Sequence, residues 1–103
     1  MLKKADRHEE ALTQFEAMLA MDTTNARLHV EIGLTASELK RYKKAEYHLR
    51  HALSQNARNA RARYGLGATY ALQGHWVRAQ KQCDSLKTVS PALHKKLQRL
   101  INP

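Results

Sequence analysis

A chain of 103 residues with 43% hydrophobic residues and a formal charge of +9 has enough apolar material for one folded domain and too much to remain disordered. The charge is polarised. From Met1 to Glu46 there are eight acids and eight bases, whereas afterwards Asp84 is the one acid against ten Lys and Arg. A lone cysteine, Cys83, excludes an internal disulfide, no stretch reaches the length of a membrane span, and the early lysines lead into no apolar run of a signal peptide. A cytoplasmic location is therefore the default expectation.

In chain order, Met1–Ala5 reads as the tail of a first helix. "DRHEEALTQFEAMLAM" follows as a second, opened by Asp6 with Glu9 three residues on, a capping-box pattern. Most of its partner helix is missing, so Leu12, Phe15 and Leu19 are expected to be only partly covered. Asn25 and Asn59 each begin a unit with the tripeptide Asn-Ala-Arg. Each unit splits into two helical patterns, near Lys40 and near Gly74, the latter suited to the left-handed residue that closes a helix. Ser90-Pro91 is a good helix start, and Leu93, Leu97, Leu100 and Ile101 form one apolar face behind it, as expected of a closing cap.

The units form a repeat of 34 residues. Ala11, Ala45 and Ala79 keep that spacing, as do Phe15, Leu49 and Cys83, and the pairs Asn25/Asn59, Ile32/Leu66 and Gly33/Gly67. The small positions recur with the large ones, so Gly33 and Ala45, or Gly67 and Ala79, let paired helices approach while Tyr42, Leu49, Tyr70 and Trp76 fill the remaining space.

In these residues the chain resembles the tetratricopeptide repeat. Leu66, Gly67, Tyr70, Gly74, Trp76, Ala79 and Pro91 fit that pattern in the second unit, and Ile32, Gly33, Tyr42, Ala45, Leu49 and Ala52 in the first. The first unit departs at Ala36 for Tyr, Lys40 for Gly and Ala57 for Pro. The resemblance implies an all-α fold, a right-handed α-solenoid of antiparallel helical hairpins with a C-terminal capping helix. Its segments would be a partial repeat at 1–24, full repeats at 25–58 and 59–90, and the cap at 91–103, all within one domain.

Chemistry finds little support. "GLGATY" begins like a dinucleotide loop, but Tyr70 stands at the third glycine position and no strand precedes it. His48 and His51 lie one turn apart with no third ligand beside them in sequence, and read as a solvated helix face rather than a metal site. His29 reads as packed, and Cys83, in the slot of Phe15 and Leu49, as a buried small hydrophobe. Gly65 stands where the pattern requires nothing small and reads as a neutral surface position, with room cleared for a ligand as the alternative. No catalytic residue, metal or cofactor is expected.

The expected function is noncatalytic protein–protein interaction. By resemblance, the first helix of each repeat lines a concave groove displaying Arg27, Val30, Leu34, Ser37 and Glu38, then Arg61, Tyr64, Ala68, Ala71 and Leu72, with Lys95 beyond. Val30, Leu34 and Gly65 replace the polar clamp with which the family's chaperone-tail binders hold a terminal carboxylate. An apolar floor with basic margins suits a peptide or helical segment with acidic flanks better. Two alternatives stand beside it: nucleic-acid binding by the bases of the outer helices, Lys43, Lys44, Arg50, Arg58, Arg78, Lys81 and Lys87, and homo-oligomerisation through the uncovered N-terminal helix. The first lacks exposed stacking residues if Tyr42, Tyr70 and Trp76 belong to the core.

Overall fold

The computed structural model describes residues 4–103. Six helices follow one another: α1 (Lys4–Met21), α2 (Ala26–Glu38), α3 (Tyr42–Gln55), α4 (Ala60–Leu72), α5 (Trp76–Val89) and α6 (Pro91–Ile101). No strand occurs among the described residues. The pairs α2/α3 and α4/α5 form helical hairpins; α1 packs on α2, α3 on α4, and α6 across both α4 and α5. This is an all-α helical repeat, as the spacing predicts.

Local signals set the helix ends. Asn25 and Asn59, one period apart, each accept a hydrogen bond on Oδ1 at 3.1 Å, from the backbone N–H of Leu28 and Ala62. Ser90 does the same for Leu93 at 3.4 Å, with Pro91 supplying a first-turn φ that needs no N–H partner. Inside each hairpin the turn is a left-handed cap: the N–H of Arg41 bonds to the Ala36 carbonyl and that of His75 to the Tyr70 carbonyl. Gly74 takes φ 77° there, and Lys40 takes φ 62° without being glycine.

The N-terminal helix departs from the expectation. It is already helical at Lys4, so Asp6 lies inside α1 rather than opening it. The position that turns the chain at Lys40 and Gly74 is straight helix here. Met1–Lys3 fall outside the described residues. Leu12 is fully buried against the stack, while Phe15 and Leu19 are half-buried.

The small residues of the repeat account for the packing. A Cβ on Gly33 would stand 2.5 Å from Leu49 Cγ, so the glycine makes room for the side chain that fills the first hairpin. In the second hairpin Leu49 is replaced by the smaller Cys83, and a Cβ on Gly67 would instead run into Leu97 of α6. Leu97 is fully buried beside Cys83 and Leu86. Gly65 is also buried, contrary to its reading as a surface glycine, because a Cβ there would stand 2.7 Å from Leu34 Cδ2. Two further expectations need correction. Trp76 is 51% exposed rather than core, and Leu100 is 40% exposed, so the cap covers through Leu93, Leu97 and Ile101.

Candidate functional site

A hollow of about 670 Å³ is lined mainly by α2 and α4, with His8 and Leu100 also contributing. Its floor follows from the packing just described. Leu34 reaches across the missing side chain of Gly65 and remains half-buried; Tyr64 and Ala68 continue the surface along α4, and Leu72 stands 55% exposed at its end. Below the floor Thr69 links α2 and α4: its Oγ1–H donates to the Gly65 carbonyl at 2.7 Å, and Oγ1 accepts from the Ser37 hydroxyl at 3.2 Å. The floor is thus mostly apolar.

The margins carry mixed charge. Arg61 Nη1 pairs with Glu31 Oε1 at 2.5 Å, so its charge is largely cancelled inside the groove. Glu38 and Lys40, also lining it, make no ion pair with one another or with any other described residue. Lys96 Nζ lies 5.2 Å from the Tyr64 ring centroid, a cation–π contact at the rim. Burial, and secondarily the charge of Glu38, raises the Tyr64 phenol above its ordinary value and keeps it a neutral hydrogen-bond donor.

Seven of the residues expected in the groove line it: Leu34, Ser37, Glu38, Arg61, Tyr64, Ala68 and Leu72. Four do not. Val30 and Ala71 are buried in the shared core, 2% and 6% exposed, because α2 and α4 pack on neighbours from more than one side. Lys95 belongs to a separate shallow hollow with His94 and Arg99, and Arg27 is exposed but outside the lining. The lining also includes His8, Glu31, Thr35, Lys40, Tyr42, Gly65 and Leu100, which are not among the residues expected to line the groove. Glu31 had a readable signal, one turn from Arg27 and beside Val30; Tyr42 and Leu100 had been assigned inward.

Away from the groove, His48 and His51 are not a solvated face. His29 Nε2 bonds to the Thr23 carbonyl at 2.9 Å, its Nδ1 meets His48 Nδ1 at 2.9 Å, and its ring stacks on His51 with centroids 3.9 Å apart. With Nε2–H donated to Thr23, the neutral ring of His29 accepts from His48 Nδ1–H. Burial, then repulsion from His29 when that ring is itself protonated and from Lys44, lowers the His48 pKa to about 4. Among the described residues no three such side chains are arranged to hold a metal ion. Cys83 is fully buried, and burial pushes its thiol above the usual range. His94 Nδ1 lies 2.9 Å from the Cys83 carbonyl oxygen, so its N–H is used there and offers the sulfur no base.

No helix among the described residues is long and apolar enough to cross a membrane. A family model described as tetratricopeptide repeat matches residues 36–100. No curated protein matches the chain.

Proposed function

We infer the function from a plain premise: the chain belongs to the tetratricopeptide repeat family. Repeats of this family generally mediate contacts between proteins and are typically noncatalytic. On that basis the chain is a protein-interaction scaffold that receives a peptide or helical segment of a partner in the groove between α2 and α4. The observation that carries this reading is the apolar floor of Leu34, Tyr64, Ala68 and Leu72, open to solvent at Leu72 and bounded by charges of both signs. An apolar surface of that kind gains by being covered.

The ion pair between Arg61 and Glu31 changes the expected ligand. A groove with one basic margin would select acidic flanks; here Glu38 and Lys40 remain available, so a ligand with an apolar face and one flanking charge of each sign fits better. Affinity capture tests this reading. Proteins retained by the parent chain and lost with Leu72→Glu are expected, since a charge at that site must be desolvated by any ligand that covers it. An unchanged set of captured proteins would place recognition elsewhere.

A further inference from the structure

We propose that the faces of α3 and α5 outside the groove bind the backbone of a single-stranded nucleic acid, with Arg50 and Arg78 holding phosphates and Tyr47 and Trp76 stacking on bases. The starting point is Tyr70. It is buried, and the guanidinium carbons of Arg50 and Arg78 both stand 5.9 Å from the centroid of its ring. Arg50 Nη2 also donates to Tyr70 Oη at 2.6 Å. One fixed aromatic ring thus gathers two cations from two different helices.

Among the described residues, only one of the two has a carboxylate partner. Glu46 Oε1 lies 3.4 Å from Arg50 Nη2, and its other oxygen accepts from Gln73 Nε2 at 2.9 Å. That leaves Arg78 with no carboxylate among the described residues. The only later acid, Asp84, accepts a hydrogen bond from Gln80. Lys43, on the same face as Arg50, likewise has no ion pair with a described residue.

Each arginine shares a hollow with an exposed aromatic ring. Lys43, Tyr47 and Arg50 line one of about 550 Å³, and Tyr47 is 65% exposed. Trp76, Val77 and Arg78 line another of about 400 Å³, and Trp76 is 51% exposed. A cation beside an exposed aromatic ring, found once with Arg50 and once with Arg78, matches a polymer whose every unit offers one phosphate and one base. An acidic protein segment supplies the charge but not the stacking partner. A duplex keeps its bases stacked on one another, so the single strand is the form these rings select.

Trp76 is the sole tryptophan and reports on its own site. Titrating the full chain with a short oligothymidylate should quench its fluorescence, and affinity should fall as salt rises, with a slope of about 0.7 in log units for each phosphate neutralised. Replacing both arginines, Arg50→Gln with Arg78→Gln, should flatten that slope by about 1.4. Arg78→Gln alone removes no ion pair or hydrogen bond to a described residue, keeps the fold, and should flatten it by about 0.7. With a labelled oligonucleotide, Tyr47→Ala and Trp76→Ala should each weaken binding at least about fivefold. A strand of the same length lacking bases should bind more weakly than oligothymidylate. Absence of quenching, equal binding of the abasic strand or of duplex, or an Arg78→Gln slope equal to that of the parent would each overturn the proposal. None of these outcomes depends on the groove.

Discussion

Lys40 and Gly74, one period apart, hold the same left-handed backbone, with φ of 62° and 77°. The hydrogen bonds closing the turn are the same on both sides, from Arg41 to Ala36 and from His75 to Tyr70. The repeat therefore demands the conformation, and the first hairpin meets that demand with a residue whose Cβ opposes it. Lys40→Gly should stabilise the chain by about 1 kcal/mol. At Gly74 no atom lies within 4 Å of an added Cβ, so Gly74→Ala should cost about 1 kcal/mol from the backbone alone. Chemical denaturation of the two variants measures both signs.

Gly33 opposes substitution for a different reason. Its added Cβ would stand 2.5 Å from the branch point of Leu49, a fully buried side chain. Alanine's helix propensity is worth about 1 kcal/mol in its favour, yet overpacking costs about 1–3 kcal/mol. Gly33→Ala is expected to lower the unfolding free energy despite the propensity gain. Combined with Leu49→Ala, the two losses should be less than additive, because the new methyl occupies part of the cavity. Strict additivity would show that the two positions do not share that space.

These packing relations mark how far the sequence could be read. Spacing at 34 residues located the hairpins, the unit starts at Asn25 and Asn59, and Gly74, because each of those signals is local or strictly periodic. Gly65 was misread because its neighbour, Leu34, lies on another helix a repeat earlier. His29, His48 and His51 are joined by a contact between helices that no spacing within one helix displays. In the groove the apolar floor was legible from helical spacing, whereas the cancellation of Arg61 by Glu31 depends on how two helices stack. Tyr42 and Trp76 hold the same place in the repeat, yet Tyr42 is half-buried and Trp76 51% exposed, a difference that spacing does not show.

Leu97 should be the main energetic contribution of α6. It is fully buried, seated over Gly67 beside Cys83 and Leu86, whereas Leu100 is 40% exposed. Leu97→Ala is expected to cost about 2–5 kcal/mol and Leu100→Ala no more than about 0.5 kcal/mol. Thermal melts compare them directly. Similar midpoints for the two variants would contradict the assignment of the cap to Leu97.

The histidine cluster predicts a pH dependence. His48 titrates near 4 in the folded chain against 6.5 as its ordinary value, so the unfolded state binds the extra proton first. Its contribution is fully present above pH 6.5 and declines as pH falls from there towards 4. Because the ring is partly solvated, the loss should be about 1–2 kcal/mol rather than the full linkage value. Denaturation curves across this range should show the decline, and His48→Gln should flatten it. An identical pH profile in that variant would assign the dependence to other groups.

The central claim is recognition through the groove, and its most direct measurement is calorimetric titration of a captured partner segment against three folded variants. Tyr64→Ala removes a large amphipathic contact from the floor, Leu72→Glu buries a charge under the ligand, and Lys81→Glu changes only the exposed face of α5. The first two should each weaken binding by about 1–3 kcal/mol, and the third should alter little beyond its salt dependence. Parent-like affinity for Tyr64→Ala and Leu72→Glu, with loss of binding for Lys81→Glu, would contradict the account and move recognition to the basic outer face.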